Sequence, residues 1–385
     1  MPQVVIDARS VVDRRSGIGN YVEALLRHLI PMAPDLHFVL LKHPELGRPL
    51  MEHARVREIP FPGETKSVAT VLRLGRAHPF TDAGLYHSPA DLVPLGLGCP
   101  FVVTLHDLMW VEAPELASNF WPVRLGNRLW YSLNIARAVR GARRVIAISE
   151  ATKAAIERWY PEHSAKVRVV PHGLDHERYA PERAGPREAL DDLLPPPIRY
   201  ALIVGQGSPY KNHVRMIRAY ISATADLPDH RLVLVRRFAR VDRDMRALLG
   251  DARIRSRLVL LEHVDDRRLA TLYRHADMLL FASEYEGFGM PALEAMCMGT
   301  PVLAYTAPAV LEVTGAAALH AVPTDLADLT EKIGRLARDA DLRERLVQLG
   351  RQRALEFRWE ACASATLAVY REVLGRPPPD RAQAL

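Results

Sequence analysis

Cysteine is scarce in this 385-residue chain: Cys99, Cys297 and Cys362 stand far apart, odd in number and without the paired spacing of a zinc site. A disulfide-stapled secreted scaffold is therefore excluded, and a reducing compartment, the cytoplasm, is expected. Long apolar runs are also missing. No stretch approaches the ~20 residues that cross a bilayer, and the start, Met1-Pro2-Gln3-Val4-Val5-Ile6-Asp7, lacks a basic region followed by a long apolar one. The expectation is a soluble protein, with peripheral contact at the inner membrane face left open. No Ser/His/Asp nucleophile arrangement, metal-ligand cluster, methionine stripe, short repeat or low-complexity tract stands out. Acidic residues are absent from Phe120 to Ser149, although that stretch carries Arg124, Arg128, Arg137, Arg140, Arg143 and Arg144.

What is present is ordinary for a folded protein: 49% hydrophobic and 25% charged residues. The length allows two domains with separate cores. A formal charge of +6 favours anionic partners, and nucleotides, phospholipid surfaces and nucleic acid all qualify.

Short apolar runs alternate with amphipathic segments, the grammar of βα units that build a parallel sheet. Residues 4–6, 37–41, 101–105 and 145–148 read as strands of a first half. Residues 200–204, 232–235, 258–261, 278–281 and 301–304 repeat the pattern in a second. The proline- and charge-rich stretch between Pro181 and Pro197 disfavours regular structure and reads as a linker. Ala363, Leu367, Tyr370 and Leu374 have helical spacing, followed by a Pro377-Pro378-Pro379 tail expected to fray.

The segment Glu286-Gly287-Phe288-Gly289-Met290-Pro291-Ala292-Leu293-Glu294 constrains function most. It joins an apolar run to a helix start, where Pro291 costs no donor and glycines let backbone amides approach a ligand. An anion suits such a helix start. The flanking carboxylates repel phosphate but accept from hydroxyls, so sugar and ribose hydroxyls beside a diphosphate fit.

Four other segments invite attention. Ser16-Gly17-Ile18-Gly19-Asn20-Tyr21 lies between the first strand and a helix expected near Tyr21, as a phosphate-approaching loop or a plain turn. His106-Asp107 follows the strand 101–105 at the sheet edge where α/β ligands bind; His106 either donates to a sugar hydroxyl or is satisfied by backbone. In Gly205-Gln206-Gly207-Ser208-Pro209-Tyr210-Lys211-Asn212, Lys211 either stabilises a departing diphosphate or is a solvated lysine. The basic stretch that contains Trp121, Arg124, Arg128 and Trp130 reads either as a surface for an anionic membrane or acceptor, or as a helix with core aromatics and solvated arginines.

Together these segments resemble the retaining glycosyltransferases of family four, also called group 1, which have the α/β GT-B fold of two Rossmann-like domains facing across a cleft. The resemblance covers nearly the whole chain. It is carried by residues 283–291, Glu294-Ala295-Met296, Gly299-Thr300-Pro301-Val302, Pro171-His172-Gly173-Leu174-Asp175 and Trp359-Glu360. It implies an N-terminal acceptor-binding domain over 1–178, a linker over 179–198 and a nucleotide-sugar domain over 199–358. A helix over 359–376 would cross back to the N-terminal domain, with a tail over 377–385. It also implies roles: Glu286 on hydroxyls of the donor sugar, amides around Gly287, Phe288, Gly289 and Met290 on sugar and diphosphate, and Glu294 on the ribose. Lys211 would hold the diphosphate, His106 would reach the donor sugar, and Gly17, Ile18 and Gly19 would close over the phosphates. Many relatives carry an arginine where this chain has Gln206, and Arg236 or Arg237 is the candidate compensating charge.

The resemblance implies a hexosyltransferase that moves a sugar from a nucleotide diphosphate donor to a hydroxyl of a glycan or lipid-linked glycan, without metal or cofactor. The leaning is toward mannose from GDP-mannose, as in bacterial mannosyltransferases of surface-polysaccharide assembly, with UDP-sugars the alternative. A carboxylate nucleophile for double displacement is not evident, so attack from the leaving-group side is favoured. A noncatalytic scaffold with this fold is the competing reading, supported by the missing arginine alone. Nucleic-acid binding rests only on charge, because the basic residues gather around no recognisable motif.

Overall fold

The computed structural model describes residues 1–13, 16–118, 120–236 and 241–376. The chain divides into two compact units. The first comprises Met1–Glu112, Leu125–Gly173 and the C-terminal stretch from Arg358; the second comprises Ala113–Arg124 and Leu174–Phe357. Each is built on its own parallel sheet, as the alternating pattern predicts.

In the first unit, strands β1 (Gln3–Asp7), β2 (His37–Lys42), β3 (Val56–Pro60), β4 (Leu85–Ser88), β5 (Phe101–Leu105), β6 (Arg144–Ala147) and β7 (Val167–Val169) lie in the order β3-β2-β1-β4-β5-β6-β7. Both faces of this sheet are covered. Val4 and Ile6 of β1 pack with the helices Gly17–Leu29 and Trp359–Val373, while Val5 joins Val39 and Leu74 on the opposite side. Side chains of successive strand residues point to opposite faces, so a doubly covered strand must be apolar throughout. The C-terminal helix buries Ala363, Leu367 and Tyr370, the positions its spacing picks out.

The second unit has β8 (Arg199–Val204), β9 (His230–Val235), β10 (Leu258–Leu261), β11 (Met278–Phe281), β12 (Val302–Tyr305) and β13 (Ala318–Ala321), in the order β10-β9-β8-β11-β12-β13. The order reverses beside β8, the kind of switch point where open α/β sheets take ligands at the carboxyl ends of their strands. The proline-rich stretch carries only single 3-10 turns at Pro181–Arg183 and Arg187–Leu190, with Leu190 and Leu194 buried. The tail over 377–385 lies outside the described residues.

Among the described residues no helix is long and apolar enough to cross a membrane. The basic stretch forms the helix Trp121–Gly141, and its aromatics divide between two faces. Trp130, Tyr131 and Ile135 pack on the core, whereas Trp121, Leu125, Leu129 and Leu133, each four residues apart, are at least half exposed.

Candidate functional site

The residues singled out in the sequence fall into two sets, one in each unit. In the second unit, the loop after β8 and the loop after β11 are joined by a short ladder. Glu284 N donates to Tyr210 O at 2.9 Å, and Asn212 Nδ2 donates to Ala282 O at 3.0 Å and to Glu284 Oε1 at 2.9 Å. Asn212 adopts left-handed backbone (φ 54°, ψ 30°), a conformation Asn tolerates better than most residues, and it directly precedes the helix His213–Ala223.

This scaffold sets Lys211 against Glu286. The Lys211 ammonium donates to Glu286 Oε1, and both side chains are about seven-eighths buried. The ammonium also lies 5.0 Å from the Tyr210 ring centre and 5.3 Å from that of Phe281, within cation–π range. Lysine has three N–H donors, so Lys211 can keep Glu286 and still donate to an incoming oxyanion.

Gly289 follows in the loop with φ 126° and caps the helix Met290–Met298 without any side-chain hydrogen bond. That backbone favours glycine, and no side chain caps the first turn, where Pro291 carries no N–H and Ala292 N donates to Gly289 O at 3.0 Å. Pro291 occupies the first turn, as expected. Phe288 is buried and meets Phe357 edge to face at 5.6 Å, which anchors the loop beside the helix start. One turn into the helix, Glu294 Oε2 accepts from the Tyr273 hydroxyl at 2.8 Å, with the Tyr179 phenol bonded to the same carboxylate. Burial raises the Glu294 carboxyl above the usual range, partly offset by these phenols and Arg178.

Gln206 is exposed. Arg236 lies close by: a Cβ on Gly207 would sit 1.7 Å from Arg236 Nη2, so only glycine lets this buried guanidinium press against the loop. Arg236 Nη1 donates to His213 Nδ1 at 3.0 Å. Burial, then the positive charges of Arg236 and Lys211, push His213 down to about 3, leaving it a neutral acceptor. Arg237 lies outside the described residues.

In the first unit the helix begins at Gly17, not near Tyr21 as the sequence suggested, because Ser16 Oγ accepts from Gly19 N at 3.0 Å and caps it there. The glycines thus belong to the first turn. A Cβ on Gly19 would meet Ser10 O at 2.6 Å, a packing reason for that glycine, whereas Gly17 has open space around it. The cap uses the Gly19 amide, and Asn20 N donates to Ser16 O at 2.9 Å.

His106 leaves β5 at its carboxyl end. Its Nε2 faces the Pro89 carbonyl at 2.8 Å, an acceptor only, so Nε2 carries the proton. Neutral His106 therefore offers Nδ1 as an acceptor for a hydroxyl, and donating to one requires the imidazolium. The Pro89 carbonyl is the backbone partner that the sequence reading set beside the sugar hydroxyl as the alternative for this ring. Its backbone N donates to Asp91 Oδ1 at 2.8 Å, and Asp91, buried and left-handed (φ 65°), takes Lys66 on its other oxygen. Tyr21 meets His106 edge-on at 5.1 Å and stacks on His172 at 4.7 Å. Sequence reasoning did not find Lys66, Asp91, His213 or Tyr273: each lies far along the chain from its partner, and only the fold pairs them.

A family model described as Glycosyl transferases group 1 matches residues 193–353, and one described as Glycosyltransferase Family 4 matches residues 15–178. The chain is similar to an MMP alpha-(1->4)-mannosyltransferase of Mycolicibacterium hassiacum, 29% identical over 289 residues, covering 73% of this chain and 67% of that protein. It is also similar to a D-inositol 3-phosphate glycosyltransferase of Xylanimonas cellulosilytica, 29% identical over 301 residues, covering 72% and 68%. Its fold is similar to that of Anabaena Alr3699/HepE, solved in complex with UDP and glucose, with a TM-score of 0.72 at 19% identity over 97% of this chain and 100% of the other.

Proposed function

The chain belongs to the group 1, family 4 glycosyltransferases, hexosyltransferases with the GT-B fold, and we propose that it transfers mannose from GDP-mannose to a hydroxyl of a glycan or lipid-linked glycan, with retention. The observation that carries this reading is the Lys211–Glu286 pair beside the uncapped start of the helix Met290–Met298. A charge and a helix start converge there on a place for a diphosphate, and a carboxylate stands ready for sugar hydroxyls.

In this reading the first-turn amides and Lys211 take up charge as the diphosphate leaves, and no metal is needed. Glu286 orients the transferred sugar, and Glu294, held by Tyr273, accepts from the ribose. Both carboxylates are engaged, which supports attack from the leaving-group side over a covalent glycosyl-enzyme intermediate. The mannosyl leaning draws on the Mycolicibacterium relative; the ligands of the Anabaena protein favour a nucleotide donor of the uridine kind.

Thermal unfolding in GDP, UDP and dTDP decides the nucleobase. GDP at a hundredfold excess over its dissociation constant adds about 2.7 kcal/mol, a melting shift that the other two should not reproduce at equal concentration. Equal silence from all three, with no hydrolysis or transfer from either nucleotide-sugar class, would leave the scaffold reading. Arg236→Ala is expected to weaken diphosphate binding about 10-fold, the scale of one charge-assisted hydrogen bond. Unchanged affinity removes Arg236 from the compensating role.

The half-exposed stripe Leu125, Leu129 and Leu133, with Arg128 alongside, favours contact with an anionic membrane, where the acceptor of a lipid-linked glycan would reside. Co-sedimentation with vesicles containing phosphatidylglycerol should fall several-fold in Leu129→Glu and with added salt. Equal sedimentation of both proteins sinks this assignment.

A further inference from the structure

Apart from Lys211, the segment Gly205-Gln206-Gly207-Ser208-Pro209-Tyr210-Lys211 has no charge of its own, and the arginine beside it is supplied by another strand. Arg236 directly follows β9, and the backbone there is fixed from both neighbouring strands. Arg236 N donates to Leu261 O at 2.9 Å, while Gly205 N donates to the preceding Val235 O at 3.1 Å. The buried side chain reaches both ends of the loop after β8. Nη2 and Cζ press on Gly207 at one end, and Nη1 donates to His213 Nδ1 at 3.0 Å at the other. The three atoms nearest to a Cβ on Gly207 all belong to this guanidinium, and Gly207 does not adopt positive φ. Room for Arg236, not backbone geometry, therefore requires glycine there.

We propose that His213 is a positioning residue for the donor diphosphate: with Gly207 it holds the Arg236 guanidinium against the loop that carries Lys211, so that a second positive charge meets the diphosphate where Gln206 offers none. The inference rests on the transfer reading and adds to it the residue that fixes the second charge. Histidine suits this task. Arg236 can only donate, so Nδ1 is bare, the proton sits on Nε2 and the ring is neutral. Burial, then the positive charges of Arg236 and Lys211, hold it in that form. A carboxylate in the same place would anchor the guanidinium but cancel its charge, whereas a neutral imidazole anchors it and leaves the charge whole. The contact occupies one of five N–H donors in a rigid fork.

The chain also ties the two charges together. His213 is the first residue of the helix His213–Ala223 and directly follows the left-handed Asn212, which itself follows Lys211. The turn that places the Lys211 ammonium thus places the acceptor for Arg236. Packing alone would account for a buried histidine. It explains neither a bare ring nitrogen turned to a guanidinium nor a glycine that clears space at the other guanidinium nitrogen.

The test uses the full chain and whichever of GDP and UDP binds the parent more tightly, read by isothermal titration calorimetry. The matching nucleoside, which lacks phosphate, is the control and is read by saturation-transfer NMR. His213→Leu and Gly207→Ala are each expected to weaken the diphosphate about 10-fold, as Arg236→Ala does, with nucleoside binding changed less than about twofold. The double variant His213→Leu/Arg236→Ala should bind no more weakly than Arg236→Ala alone, because both changes remove the same contact. Circular dichroism identifies any variant that fails to fold, in which case the other decides. Parental diphosphate affinity in the folded variants, equal losses for nucleoside and diphosphate, or additive losses in the double variant overturn the role of His213 and leave the donor reading standing. A parent protein that binds neither GDP nor UDP fails at an earlier step: the donor reading falls, and the role of His213 falls with it.

Discussion

Lys211→Met lowers kcat by about 10²- to 10³-fold, the scale on which enzymes lose rate when one preorganised group that meets developing charge is removed. The geometry argues for an effect on turnover more than on KM. Lys211 is already held by Glu286 and by the Tyr210 and Phe281 rings, so its charge stands in place before substrate arrives. Charge on the diphosphate grows as the glycosidic bond breaks, and a fixed ammonium therefore stabilises the transition state beyond the ground state. Glu286→Gln separates the two halves of the pair: it keeps the side-chain shape, removes the anion, and leaves Lys211 free to bind diphosphate. We expect Glu286→Gln to abolish most transfer while preserving nucleotide affinity, whereas Lys211→Met weakens both. Steady-state kinetics with a nucleotide-sugar donor, beside nucleotide titration, reads the contrast. A Lys211→Met enzyme with parental kcat would return this lysine to the solvated role common for lysines.

Why these residues were legible and others were not follows from range. The nine expected strands are apolar runs, because a sheet covered on both faces demands apolar side chains in succession, and all nine are present. Four strands escaped notice. β3 is an edge strand with Arg57 and Glu58 adjacent inside it, β4 hides His87 in a four-residue run, β7 has three residues, and β13 is half alanine. The helix start at Met290 was legible from Gly289 and Pro291, since turn geometry is local. The start at Gly17 was misplaced because glycine argued for a loop, while the Ser16 hydroxyl outweighed it by capping the turn. Lys211 with Glu286, separated by 75 positions, and Lys66 with Asp91, separated by 25, are brought together only by strand order. Resemblance could name Lys211 and Glu286, but nothing in spacing alone could pair them.

Acidification from pH 7.5 to pH 5 destabilises both units, by about 2 kcal/mol for each buried histidine whose pKa has been driven far down. His87 lies in β4 with Nδ1 2.6 Å from the Tyr370 hydroxyl and Nε2 2.8 Å from Thr104 Oγ1; burial, then the nearby His106, lowers it to about 3. In the second unit His213, also at about 3, must keep a bare Nδ1 because Arg236 Nη1 facing it can only donate. Both folded values lie below the usual 6.5, so between pH 6.5 and 3 the unfolded chain binds more protons. Stability is complete above about pH 6.5 and falls as pH drops through that window. At pH 5 each group is 1.5 units below its unfolded value, hence the estimate of about 2 kcal/mol per histidine, a sizeable part of a domain's ~5–15 kcal/mol. Asp107 and Glu294, raised by burial, act in the opposite sense and blunt the raw change. The decisive quantity is therefore the difference between parent and His213→Gln, in which the second unit loses its titrating imidazole. Urea unfolding of both at pH 7.5 and 5 should show a shallower pH slope in the variant by about 2 kcal/mol, and parallel slopes would mean that His213 titrates near 6.5 in the folded protein.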